Sequence, residues 1–147
     1  MRSLPPDLDP AVTTFVDVGS GLGRVAFLAA AYPFKQIVGV EVSPALHEIA
    51  KDNRARFLNA SPRCRDIRLV RADASTWTLP KGDLLVYLYN PFDAELMAVF
   101  ANRLRDAANA REIWVMYHTP AQPDPYKETA AFAAVLELPF GVLYRLI

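Results

Sequence analysis

One carboxylate and three glycines lie close together near the start of the chain, between two apolar segments. Asp17 is followed by Gly19, Gly21 and Gly23. Glycine lets the backbone adopt positive φ and lets a ligand approach without an intervening Cβ. The spacing differs from the G-x-G-x-x-G pattern of dinucleotide-binding turns. A carboxylate two residues before the first glycine would repel a pyrophosphate and attract a cation. The segment therefore predicts a nucleotide-type binding turn for a cationic ligand.

This turn resembles motif I of the class I, Rossmann-type methyltransferases, in which an acid and a spacer residue precede G-x-G-x-G. The resemblance implies S-adenosyl-L-methionine as cofactor, since that molecule carries an ammonium and a sulfonium and no phosphate. It also implies that five residues bind this cofactor, namely Asp17, Gly19, Ser20, Gly21 and Gly23. The alternatives are a glycine-rich turn that holds no ligand and an NAD-dependent oxidoreductase. The glycine spacing and Asp17 disfavour the oxidoreductase.

Acidic residues also end the second and third predicted strands. In open α/β sheets, ligands bind beyond the carboxyl ends of the strands. Glu41 can accept hydrogen bonds there from both ribose hydroxyls, but NAD enzymes use an acid at the same place, so it does not select the cofactor. The resemblance implies that Asp73 contacts the adenine amino group and that the Ala74 amide contacts the adenine ring. The alternative roles are a solvated strand-end charge for Glu41 and turn formation for Asp73.

The segment Asn90-Pro91-Phe92 follows the fourth predicted strand. It resembles motif IV of the amine-directed class I methyltransferases, with one proline instead of two, and the Asn-x-Phe element of the Rossmann-type histone lysine methyltransferases. The resemblance implies catalytic roles for Asn90, whose carbonyl groups orient an amine, and for Phe92, which packs against the target. The alternative is a polar turn with Phe92 in the core. His118 could act as a base at the pocket mouth, although a structural role is favoured for a lone histidine.

Strand and helix patterns alternate along the chain and predict an α/β fold with a doubly wound, mostly parallel seven-stranded sheet. An apolar helix, expected to be largely buried, follows the glycine turn over about residues 22–31, and Ser43 and Asp93 mark the starts of two others. A short helix is expected near 126–133. The strands are expected at residues 14–18, 36–41, 66–71, 83–88 and 112–117, with a closing antiparallel hairpin at 135–138 and 142–146.

The composition fits one cytoplasmic domain over residues 1–147, with residues 1–12 irregular. Hydrophobic residues make up 52% of the chain, which is enough for a sizeable core. Cys64 is the only cysteine, so an intrachain disulfide and a cysteine metal cluster are excluded, and no metal is expected to be needed. The sequence shows neither a signal peptide nor an apolar segment long enough to span a bilayer.

The expected function is methyl transfer to an amine nitrogen of a protein lysine or a small amine. The alternative is a non-catalytic S-adenosylmethionine-binding sensor or partner subunit. Membrane partners are not expected. Nucleic acid is disfavoured because the formal net charge is zero, despite a basic cluster at residues 63–71. The short segment before the first strand predicts an open cofactor site, which either binds weakly in a monomer or is covered by a second copy in a homodimer.

Overall fold

Seven strands form a single sheet within residues 4–147, the part of the chain that the computed structural model describes. The first three residues of the predicted irregular segment lie outside this part. The strands are β1 (Thr14–Val18), β2 (Gln36–Glu41), β3 (Ile67–Arg71), β4 (Leu84–Leu88), β5 (Ile113–His118), β6 (Phe132–Leu138) and β7 (Gly141–Leu146). Their order across the sheet is β3-β2-β1-β4-β5-β7-β6.

The first five strands run parallel, and β7 is antiparallel to both β5 and β6. This arrangement confirms the predicted α/β class and the closing hairpin. The strand β1 lies between β2 and β4. The strands β2 and β3 are added on one side of β1 and the later strands on the other, so the strand order reverses there. Such a reversal is the point at which open α/β sheets bind ligands beyond their carboxyl ends.

The helices are α1 (Arg24–Ala29), α2 (Pro44–Phe57), α3 (Ala94–Asp106) and α4 (Pro125–Glu128), with a 3-10 turn at Leu58–Ala60. Two predicted helix starts are confirmed by their caps. The Ser43 hydroxyl accepts a hydrogen bond from Leu46 N, and the Asp93 carboxylate accepts one from Leu96 N. Both caps satisfy an amide that the first helical turn leaves free.

The predictions for the first and last helices were wrong in extent. Helix α1 begins only after Gly23, because the φ of +85° at that residue is incompatible with a helix. The predicted segment is also less buried than expected, since Leu22 before the helix and Leu28 within it are 47% and 63% exposed. Helix α4 is shorter than predicted because Phe132 already pairs with Leu146 in the hairpin.

Buried side chains form two apolar clusters. One cluster contains the inner face of α3 and the buried Tyr126 of α4, and the other contains the buried alanines of α1. Cys64 lies in a loop, as predicted, but its side chain is buried in the second cluster. Within residues 4–147, no helix combines the length and the apolarity needed to cross a bilayer.

Candidate cofactor-binding site

The glycine turn between β1 and α1 has the backbone conformation that its sequence predicts. Gly19, Gly21 and Gly23 have φ values of +73°, +52° and +85°. The Val40 carbonyl oxygen accepts hydrogen bonds from Gly19 N at 2.9 Å and Ser20 N at 3.0 Å, which hold the turn against β2. A Cβ at Gly21 would meet no heavy atom within 4 Å. The middle of the turn therefore faces open space, which a ligand can fill.

Glu41 holds this turn through its carboxylate. The Oε2 atom accepts a hydrogen bond from Gly21 N and the Oε1 atom accepts one from Ser43 N, both at 2.8 Å. The side chain is buried. Each carboxylate oxygen can accept a further hydrogen bond. The predicted ribose contact therefore remains chemically open and stays a prediction, whereas the turn-holding role was missed from the sequence.

Asp17 lies beneath the turn and not on its open surface. It is 3% exposed, and its Oδ2 atom accepts a hydrogen bond from Ala26 N at 3.2 Å. Burial raises the pKa of Asp17 to about 7, the Ala26 hydrogen bond lowers it, and the charge of Glu41 raises it further. A nearby cation would stabilise the ionised form. With a cation above the turn, Asp17 would therefore supply negative charge from below it.

The segment after β3 carries the two residues predicted to contact adenine. Asp73 is exposed, and its Oδ1 atom accepts hydrogen bonds from Ser75 N at 2.9 Å and Ser75 Oγ at 2.7 Å. These hydrogen bonds from Ser75 lower the pKa of Asp73. Asp73 thus forms the turn that the sequence offered as an alternative, and its adenine contact stays a prediction. Within the described residues, the Ala74 N–H has no acceptor.

Arg103 of α3 holds the same segment in place, and no pattern in the sequence indicates this role. Its guanidinium donates hydrogen bonds to the carbonyl oxygens of Ala74, at 3.0 Å, and of Ser75 and Trp77. Its position near the end of a helix is typical of an ordinary solvent-facing cation. Through these three charge-assisted hydrogen bonds, Arg103 instead stabilises the backbone of the predicted adenine site.

The segment Asn90-Pro91-Phe92 lies beside the glycine turn. A Cβ at Gly19 would approach Pro91 Cβ to 3.2 Å. The Asn90 backbone has a φ of +44°, and both ends of its side-chain amide are bonded to the end of β5. The Oδ1 atom accepts from Tyr117 OH at 2.8 Å, and Nδ2 donates to the Thr119 carbonyl oxygen at 2.9 Å. The structure thus brings this segment and the predicted cofactor turn together.

Phe92 and His118 each pack against other aromatic rings. The Phe92 ring packs 5.4 Å from the Phe100 ring at the border of the core, as in the alternative interpretation of this motif. The His118 ring is surrounded by aromatic rings, with Tyr89 at 4.8 Å and Phe140 at 5.6 Å. The catalytic role of Phe92 stays a prediction, and the aromatic neighbours of His118 fit a packing role.

One sequence comparison matches the part of the chain that contains this turn. The family model described as Histone methylation protein DOT1 matches residues 7–65. A trans-aconitate 2-methyltransferase of Methylobacterium radiotolerans is 37% identical over 73 residues, which are 49% of this chain and 24% of that protein. The chain thus spans about a quarter of the length of this curated relative.

Solved structures with the same fold cover nearly the whole chain. A putative methyltransferase of Escherichia coli has a TM-score of 0.63 and 22% identity, covering 90% of this chain and 73% of that one. An RNA methyltransferase of Salinibacter ruber, solved with S-adenosyl-L-homocysteine, has a TM-score of 0.63 and 18% identity, covering 95% and 82%. The ribosomal protein L11 methylase of Lactobacillus delbrueckii subsp. bulgaricus has a TM-score of 0.59 and 20% identity, covering 96% and 70%.

The fold, the glycine turn and these similarities support a class I, S-adenosylmethionine-dependent methyltransferase domain, as predicted. They also support S-adenosylmethionine as its cofactor. The residues fit that cofactor, because the turn is open at Gly21 and the buried Asp17 lies below it. The reaction and the acceptor of this particular chain are considered as proposals below.

We predict that Asp17→Asn stabilises the cofactor-free protein at pH 8 and not at pH 4. The pKa of Asp17 is about 7 in the folded chain and 3.8 in the unfolded reference. The folded state therefore binds the extra proton between these values, and stability falls as pH rises through that window. The substitution should raise the free energy of unfolding by about 2–4 kcal/mol at pH 8, measured by denaturant titration.

The same variant should bind S-adenosylmethionine about tenfold more weakly at pH 8, because it lacks the negative charge below the turn. Calorimetry measures this loss, and Asp52→Asn on the exposed face of α2 is the control that should change neither property. Equal destabilisation of Asp17→Asn at both pH values would show instead that the ionised carboxylate stabilises the fold.

We also predict that Arg103→Met weakens cofactor binding about tenfold and lowers the free energy of unfolding by about 2–3 kcal/mol, because three carbonyl oxygens lose their donor. Arg105→Met is the matched control on the same helix, since Arg105 is exposed and its guanidinium pairs with the neighbouring Asp106. Calorimetry and denaturant titration measure both variants. Equal effects of the two substitutions would refute the supporting role of Arg103.

Proposed function

We propose that this chain transfers the methyl group of S-adenosylmethionine to a nitrogen atom of an amine. The observation that carries the proposal is the contact of Pro91, in the segment Asn90-Pro91-Phe92, with Gly19 of the glycine turn. The resemblance of this segment to amine-directed methyltransferases supports nitrogen as the acceptor atom. A protein lysine and a small amine both fit this chemistry.

The chain's own residues would bind the cofactor along the carboxyl edge of the sheet. In this proposal the glycine turn binds the methionine part, Glu41 accepts the ribose hydroxyls, and Asp73 and the Ala74 amide hold the adenine. Asp17 lies below the turn and stabilises positive charge above it. When bound, S-adenosylmethionine supplies an electrophilic methyl group on a sulfonium.

Asn90 would orient the acceptor. Its Oδ1 atom already accepts one hydrogen bond, from Tyr117 OH, and a carbonyl oxygen has a second lone pair for an amine N–H. An amine whose N–H bonds are held by such acceptors can point its own lone pair at the methyl group. The nitrogen lone pair then forms the N–C bond as the C–S bond breaks, and the nitrogen loses a proton to water. The protein's contribution is orientation, which needs no covalent enzyme intermediate.

A cofactor-binding module without turnover is the second candidate. Two observations favour it: both ends of the Asn90 amide are bonded within the protein, and Phe92 packs toward the core. Such a module would bind S-adenosylmethionine and S-adenosylhomocysteine and would transfer no methyl group to any acceptor. The transfer assay described next separates the two candidates.

We predict that Asn90→Ala lowers the rate of methyl transfer to an amine about 100-fold and changes the Kd of S-adenosylhomocysteine less than about threefold. The reason is that Asn90 positions the acceptor and lies outside the predicted cofactor contacts. The rate is measured with methyl-labelled cofactor on a panel of proteins and small amines, and the modified atom is identified by mass spectrometry and NMR. Asn102→Ala, at an exposed position of α3, is the matched control.

Three outcomes would contradict the proposal. Label on oxygen or carbon would show that the acceptor is not an amine. Full activity in Asn90→Ala would remove the proposed role of Asn90. Cofactor binding without transfer to any member of the panel would favour the binding module.

A further inference from the structure

Three aromatic rings lie together at the carboxyl edge of the sheet, and we call them the aromatic corner. Tyr89 follows β4, His118 ends β5, and Phe140 lies in the turn between β6 and β7. The His118 and Phe140 rings are stacked, with centroids 5.6 Å apart and planes 29° apart. The Tyr89 ring meets the His118 ring nearly at right angles, with centroids 4.8 Å apart and planes 78° apart.

The backbone holds Phe140 in this position. Thr119 N donates a hydrogen bond to the Phe140 carbonyl oxygen at 2.8 Å, and Gly141 pairs with His118 across the two strands. A Cβ at Gly141 would lie 2.5 Å from the Tyr117 carbonyl oxygen, so only glycine permits this close approach. The aromatic corner is therefore preorganised by the hairpin.

Two of the three rings of the aromatic corner are exposed to solvent. Tyr89 is 62% exposed and Phe140 is 51% exposed. It also adjoins the proposed acceptor site, because Tyr89 precedes Asn90 in the chain and the Asn90 amide bonds to Thr119, the residue after His118. Exposed apolar groups grouped at one place usually mark a contact with a ligand or partner. Here the position indicates the methyl acceptor.

We propose that the aromatic corner binds a planar aromatic or heteroaromatic ring of the methyl acceptor, next to the nitrogen that receives the methyl group. This inference rests on the proposed function and names the acceptor class more closely. A planar ring can stack on one ring of the corner and meet the perpendicular ring edge to face, which are the two arrangements that aromatic pairs prefer.

The chemistry of the reaction favours a ring over an ammonium group as the occupant. Aromatic faces attract cations and would stabilise the protonated form of an amine. A protonated nitrogen has no lone pair and cannot attack the methyl group. A corner that binds the ring of the acceptor avoids this conflict, because its affinity does not depend on the charge of the amine.

The test compares two uncharged probes that differ in planarity, benzamide and cyclohexanecarboxamide, by NMR titration of the full chain saturated with S-adenosylhomocysteine. Benzamide should bind about threefold to tenfold more tightly than its saturated analogue. Tyr89→Leu and Phe140→Leu should each raise the Kd of benzamide at least about threefold, while Tyr89→Phe should leave it unchanged. Leu28→Ala, at an exposed position of α1, is the control that should change nothing.

Equal binding of the two probes, or unchanged benzamide binding in both leucine variants, would overturn the inference. Tighter binding of tetramethylammonium than of benzamide would also overturn it, in favour of a cation site. Loss of S-adenosylhomocysteine binding in the folded Tyr89→Leu variant would assign the corner to the cofactor instead. The titration measures ring binding without methyl transfer, and the transfer assay measures the proposed function. Failure of this inference can therefore be told apart from failure of the proposed function.

Discussion

The site depends on the carboxylate of Glu41, which bonds at 2.8 Å to both Gly21 N and Ser43 N. These two hydrogen bonds fix the glycine turn to the end of β2. Asp17 is buried below this turn, and its Oδ2 atom accepts a hydrogen bond from Ala26 N of α1. Burial, and to a lesser extent repulsion by the charge of Glu41, raise the pKa of Asp17 to about 7. A cationic ligand above the turn relieves this repulsion, so the arrangement favours the charge that S-adenosylmethionine carries.

The sheet order places the glycine turn and the Asn90 segment side by side. Because β1 pairs with β4 in parallel and Val18 is in register with Leu88, the glycine turn and the Asn90 segment leave the sheet at the same edge. The contact between Gly19 and Pro91 follows from this register. The aromatic corner continues the same edge across β5 and the hairpin.

The sequence predicted local features well and tertiary support poorly. The bounds of β1 and β2 matched because apolar segments end at Gly19 and at Glu41. Helix α1 was predicted too long because apolarity continues beyond Ala29, whereas its start depends on the backbone of Gly23. Arg103 and Tyr117 were missed because their roles arise from contacts 26–29 residues away along the chain, which no local pattern reveals.

The most direct test is a calorimetric titration of S-adenosylhomocysteine and of NAD into the unmodified chain and into Glu41→Ala. S-adenosylhomocysteine should bind the unmodified chain, and NAD should not. Glu41→Ala should weaken binding by about 1–3 kcal/mol, because the turn and the ribose lose the same charged acceptor. Tight NAD binding, or an unchanged affinity for S-adenosylhomocysteine in a folded Glu41→Ala variant, would contradict this account.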